Sequence, residues 1–232
     1  MSAAPADPPF DPKDPDAPAR APKPRSAATL ILLREGKVLM GQRSKGHVFM
    51  PNKWVFPGGA LDREDAFAPA ASELNADDDA LIRMGAKRPP RAYAMAAVRE
   101  TFEETGLVVG KAHRPAGKTP ESWGHYYALG AAPELDKFTF ICRAITPPFR
   151  PRRFDAHFFM AQADDVLMDD RPIAGGDELL HTEWFALEDA MQLDLPTITG
   201  IVLKEVKARL AGEKLRPPFF RHVRGKNLMD RL

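Results

Sequence analysis

The sequence predicts an α+β fold, a mixed β-sheet core with helices packed on it. Three observations carry that expectation. Strand-like apolar runs come first, then a helical period, then further strands and helices, which suits a mixed sheet rather than a regular βαβ series. Hydrophobic residues make up 44% of the 232-residue chain and charged residues 28%, enough for a sizeable core. The 23 prolines gather largely outside the periodic stretches, where they interrupt no ladder or helix.

Met1 to about Arg25 alternates Pro5, Pro8, Pro9, Pro12, Pro15, Pro18, Pro22 and Pro24 with Asp, Ala and Lys, and is expected to be a disordered tail. Ala27–Leu33 reads as a buried strand, Glu35-Gly36 as a turn and Lys37–Arg43 as the returning strand. Trp54-Val55-Phe56 is a short strand stopped by Pro57-Gly58-Gly59. Asp65 to about Pro90 is polar and Ala-rich, with one short helix at Asp77–Lys87. From Arg91 the period becomes helical, with Met95, Val98 and Phe102 on one stripe and Gly106 as its terminating glycine.

A short helix near Glu121–Leu129 precedes strands at Phe138–Ile145 and Phe154–Met160, separated by Pro147-Pro148. Leu179–Phe185 reads as another strand, and Leu187–Gln192 and Ile198–Leu210 as helices. Lys214–Leu232, basic and broken by proline, is expected as a solvated tail. The organisation is thus a tail at 1–25, one domain at 26–212 and a basic tail at 213–232.

Composition excludes several classes. Thirty-three Lys+Arg against 32 Asp+Glu leave a formal charge of +1, without the basic excess of a dedicated nucleic-acid binder. The single cysteine, Cys142, excludes a disulfide framework and any Cys-rich zinc site. No apolar run approaches the roughly 20 residues of a membrane span, and the N-terminus has no apolar signal core. A cytoplasmic protein with no membrane partner is expected.

The chemistry concentrates in Arg99-Glu100-Thr101-Phe102-Glu103-Glu104-Thr105-Gly106-Leu107. Glu100, Glu103 and Glu104 stand at i, i+3 and i+4 and share one helix face. Three like charges so placed repel, and a hard divalent cation cancels the repulsion. Oxygen ligands without Cys or paired His favour Mg2+ or Mn2+ over zinc. The alternative is an ordinary solvated acidic face. Upstream, Phe56-Pro57-Gly58-Gly59 ends a strand in a turn whose carbonyls can approach a metal, because glycine has no side chain to intervene.

Together these segments resemble the Nudix hydrolase signature, a glycine, an acidic residue and then R-E-x-x-E-E-x-G-apolar in a loop–helix–loop. Gly59 matches the box glycine, and Arg99, Glu100, Glu103, Glu104, Gly106 and Leu107 match its second half. The first acidic position falls on Asp65, with Glu64 beside it. Residues 66–98 separate Asp65 from Arg99, several times the family's usual spacing, so an insertion at about 66–90 lies inside the box. Lengthening a loop adds little closure entropy, about 0.6 kcal/mol per doubling, so helix and glycine turn can still meet.

The resemblance implies a Nudix-like mixed sheet between helices and Mg2+-dependent (or Mn2+-dependent) hydrolysis of a diphosphate. It implies Gly59, Glu100, Glu103 and Glu104 as metal ligands, Glu103 and Glu104 as catalytic residues, and Arg99 with Asp65 as a structural ion pair. Glu178, six residues before Trp184, is a candidate base or extra ligand; its alternative is a plain loop glutamate in Gly175-Gly176-Asp177-Glu178.

Arg43-Ser44 ahead of the FPGG turn resembles the coenzyme A diphosphatase pattern and marks both as substrate-binding candidates. That pattern's later arginine and glycine positions hold Val48 and Asn52. The insertion and Phe49-Met50-Pro51 resemble peroxisomal coenzyme A diphosphatases, but the terminal Asp230-Arg231-Leu232 departs from the peroxisome signal. Trp123 and Tyr127, with Tyr126 and His125, are candidates for an aromatic wall around an adenine or acyl group. The expected partner is a small diphosphate, coenzyme A or acyl-coenzyme A first. Alternatives are an NADH, ADP-ribose or dinucleoside polyphosphate pyrophosphatase and a non-catalytic Nudix-fold regulator; a homodimer is left open.

Overall fold

The computed structural model describes residues 22–44, 50–115, 118–176 and 178–232. The proline-rich stretch through residue 21, and Val48 and Phe49, lie outside them.

β1 (Arg25–Arg34) turns through Glu35-Gly36 into β2 (Lys37–Arg43). Both turn residues have positive φ, 50° and 73°, the combination that matches the twist of a two-residue hairpin. β3 (Trp54–Val55) pairs antiparallel with β2, and β4 (Gly58–Ala60) pairs with the first half of β1. The stretch at 66–90 carries α1 (Ala76–Arg83) and leads into α2 (Pro90–Thr105). Pro90 opens α2, where its missing N–H costs nothing, and Gly106 at φ 71° closes it. A small ribbon of β5 (Lys111–Ala112) and β6 (Ala131–Ala132) brackets α3 (Gly124–Ala128). β7 (Thr139–Ile145), β8 (Phe154–Gln162), α4 (Ala163–Val166), β9 (Leu179–Ala186), α5 (Leu187–Ala190) and α6 (Thr197–Leu210) follow.

The sheet is mixed. β1 runs parallel to β8 from Arg25↔Phe154 to Leu33↔Gln162, β7 lies antiparallel beyond β8, and β9 flanks β2. β1 reads as a nearly continuous apolar run because both of its faces are buried. Ala28, Leu30 and Leu32 face the core under α2, whereas Ile31 and Leu33 face the core under α6. The expected α+β sandwich is the observed one.

The basic C-terminal segment departs from expectation. It is not a solvated tail. Residues 218–231 form a hairpin, β10 (Pro218–Val223) and β11 (Lys226–Arg231), and β10 joins the edge of β7 in parallel. Arg224 and Gly225 supply φ of 48° and 79° at its tip. Pro218 sits at a strand's first residue, a position that tolerates the missing donor. Charge and proline frequency suggested a tail because the short Arg-Gly turn signal was outweighed by them.

The stretch at 66–90 is equally built in. Ala68 and Ile82 are core residues, Asp78 accepts the Phe140 N–H at 3.0 Å, and Asn75 caps α1 by accepting from the Asp78 N–H at 2.9 Å. No helix among the described residues is long and apolar enough to cross a membrane.

Candidate active site

α2 meets the glycine turn directly. The Gly58 N–H donates to Glu104 Oε2 at 2.8 Å. Gly58 itself has φ +156° and no room for a side chain, since a Cβ would lie 2.5 Å from the Ala28 carbonyl oxygen. At Gly59 the constraint is the site: a Cβ there would stand 2.3 Å from Glu100 Oε2. The double glycine is therefore what lets two carboxylates of α2 sit against backbone.

Arg99 is the hub. Its Nε and Nη2 grip both oxygens of Asp65 at 3.0 and 3.1 Å, Nη2 also donates to the Ala60 carbonyl, and Nη1 reaches Glu100 at 2.9 Å and Glu103 at 3.1 Å. Such a fork fixes orientation as well as charge. Asp65 is held in turn by the Asp62 N–H at 2.8 Å and the Trp123 indole N–H at 3.0 Å. Glu64, its neighbour, points elsewhere and accepts from Ser122. Asp65 is thus the acid that faces Arg99.

The electrostatics are those of crowded, dehydrated carboxylates. Burial, with repulsion from Glu103 and Glu178, pushes Glu100 up to about 7 despite the nearby Arg99. Burial, with repulsion from Glu100 and Glu178, pushes Glu104 up to about 8 despite the Gly58 N–H. Glu103 is also raised, chiefly by desolvation, but its carboxylate is half exposed. Arg43, at the end of β2, is drawn down by burial and held up by Glu104, Glu178 and Glu100, so it faces the same cluster. Ser44 donates its N–H to the Glu178 carbonyl at 3.1 Å, which ties the loop carrying Glu178 to β2. Ala174 N–H caps the C-terminus of α2 through Thr105 O at 2.8 Å, from the same segment.

The structure thus brings together Gly59, Glu100, Glu103, Glu104, Arg99, Asp65, Arg43, Ser44 and Glu178, from five separate stretches. Trp123 and Tyr127 form no open wall, which corrects the reading of them as substrate contacts. Trp123 is fully buried, and the Tyr127 hydroxyl donates to the Pro69 carbonyl. Trp123, Tyr126 and Tyr127 pack on one another with centroids 5.2 to 5.4 Å apart, and large rings with satisfied polar tips gain more in the core than at a rim. Sequence reasoning missed the support that Trp123 gives Asp65, because nothing local links positions 58 residues apart.

No family profile matches the chain. A crystallised Nudix hydrolase from Alicyclobacillus acidocaldarius superposes with a TM-score of 0.57 and 29% identity, covering 78% of this chain and 90% of that one. The chain carries a Nudix fold. A Caenorhabditis elegans protein provisionally named nudix hydrolase 7 is 30% identical over 154 residues, 61% of this chain. This Nudix-fold chain spans about half the length of that curated relative, 45%.

Among the described residues no group of three His, Cys, Asp or Glu side chains already forms a metal cage. Arg99 and the Gly58 N–H hold the carboxylates that would build one. The donor chemistry nevertheless fits a hard divalent ion. Glu100, Glu103 and Glu104 are oxygen donors, burial and mutual repulsion raise Glu100 and Glu104 to about 7 and 8, and the lack of a side chain at Gly59 lets the turn lie against Glu100.

Proposed function

We propose that this Nudix-fold protein is a Mg2+- or Mn2+-dependent diphosphatase acting on a small nucleoside diphosphate derivative. The supporting observation is the seating of Glu100 and Glu104 against Gly58-Gly59, with Glu103 turned to solvent beside them. Glu100, Glu103, Glu104 and the Gly59 carbonyl would hold the metal. When bound, it supplies charge neutralisation along the diphosphate and a more acidic attacking water.

The protein's own groups do the rest. Asp65 and Arg99 fix the carboxylates that border the reaction. Arg43 places a guanidinium among those acids, where it offsets their charge and is suited to a phosphate oxygen. Glu103 has the exposed carboxylate best placed to take a proton from water, and Glu178 is the second candidate for that proton.

Coenzyme A or an acyl-coenzyme A is the substrate class we place first. Arg43-Ser44 precede the FPGG turn in that subgroup's register, and Asn52, at its glycine position, has φ +60°, a conformation asparagine tolerates well. A Mg2+-saturated panel of diphosphates distinguishes the readings. Release of 3′,5′-ADP from coenzyme A supports the first, and AMP from NADH, ADP-ribose or dinucleoside polyphosphates supports the alternative. Binding without turnover of any of them overturns the enzymatic reading.

A further inference from the structure

β11 ends the sheet, and among the described residues no strand pairs with its outer side. It is straight in register with β10, free of proline, and exposed along all six residues. Open edges of this kind recruit another strand unless something blunts them. Val223, Leu228 and Met229 on this hairpin are 38%, 38% and 52% exposed.

The hairpin dictates which groups face outward. Its two-residue turn makes Val223↔Lys226 a hydrogen-bonded pair, so Leu228 and Asp230 also bond inward to β10. The Leu232 N–H, bonded to the Pro217 carbonyl at 2.9 Å, continues that parity. Asn227, Met229 and Arg231 therefore direct their backbone donors and acceptors to the open side.

Parity restricts self-pairing about a two-fold axis, because outward residues must oppose outward residues. The pairing of Lys226 with Arg231, which would set cation against cation, is excluded. The register centred on Leu228 is allowed, and it opposes Lys226 to Asp230, Leu228 to Leu228 and Asn227 to Met229. Both apposed charge pairs and the leucine pair fall at non-hydrogen-bonded sites, where side chains come closest. Neighbouring registers lose this match: one centred on Met229 sets Leu228 against Asp230.

We propose that β11 is a homodimer interface, pairing antiparallel with β11 of a second copy of this chain in the register centred on Leu228. The contact is isologous, so each copy contributes the same strand and the sheet continues across the axis.

Sedimentation velocity on the full chain is expected to give twice the 25.7 kDa chain mass at micromolar concentration. Met229→Pro removes only an outward donor, so it is expected to give a monomer with unaltered far-UV dichroism. Lys226→Glu and Asp230→Lys, each alone, are expected to weaken the dimer at least tenfold. Mixing the two variants restores association, because each then opposes unlike charges. Amide exchange at Asn227 and Met229 should slow with rising protein concentration. A monomer throughout, or a dimer indifferent to Met229→Pro and to the charge exchange, overturns the proposal.

Discussion

Two arginine–aspartate pairs are buried almost alike and serve different ends. Arg143 and Asp155 face each other across β7 and β8 at 2.8 Å for both bonds, with side chains 7% and 0% exposed. Their surroundings close the account: Arg143 also donates to the Gly85 carbonyl and stacks on the Phe219 ring. Arg99 and Asp65 are equally sunken, at 5% and 0%, but Arg99 has two further carboxylates on it, and Glu104 crowds one of them, Glu100. A pair balanced one to one locks a sheet. A pair outnumbered by acids leaves negative charge to be met from outside, and that excess is what distinguishes a site from a rivet.

The contrast can be broken by mutation. Asp155→Ala strands a buried guanidinium and is expected to cost about 3–5 kcal/mol, a Tm fall of about 6–20 °C, with kcat retained below the transition. Asp65→Asn is expected to cost activity as well, at least tenfold in kcat, because Arg99, which orients Glu100 and Glu103, loses its anchoring carboxylate. Equal kcat losses in both variants would erase the distinction. Glu103→Gln is next, with kcat down about 10²-fold or more and melting little changed, since the side chain is half exposed.

His157 sharpens the contrast from the structural side. It lies buried between Tyr93 and Phe140, and burial pushes its imidazole down to about 3. The unfolded chain, near 6.5, therefore takes up the proton first. Its stabilisation is complete above 6.5 and is lost as pH falls from there toward 3. Unfolding free energies from urea titrations at pH 7 and pH 5 should differ by about 2 kcal/mol more in the native chain than in His157→Phe. The smallest effect is from metal: Mg2+ at ten times its Kd should stabilise by about 1.4 kcal/mol, a gain that EDTA reverses.

The meeting of the acidic helix face with the glycine turn was the most legible part of the sequence, because carboxylates at i, i+3 and i+4 and a double glycine state their geometry locally. β1, β2, α2 and α6 were legible for the same reason, each carrying its own period or turn. What sequence concealed was long-range: the Trp123 bond to Asp65, the inward turn of Tyr127, and the addition of β10 to β7. In each case the partner lies dozens of residues away, and composition pointed to the nearer, blander answer.

Arg91 deserves a last consequence. It reaches back from α2 to the carbonyls of Ala66 and Ala68 at 2.7 and 3.0 Å and to Glu73, stitching the start of the 66–90 stretch onto the helix that bears the acids. Excising that segment would not prune a decoration; it would strip a wall from the helix and leave Arg91, Tyr127 and Phe140 each short of a bond. The stretch at 66–90 is therefore obliged to stay with the helix it braces.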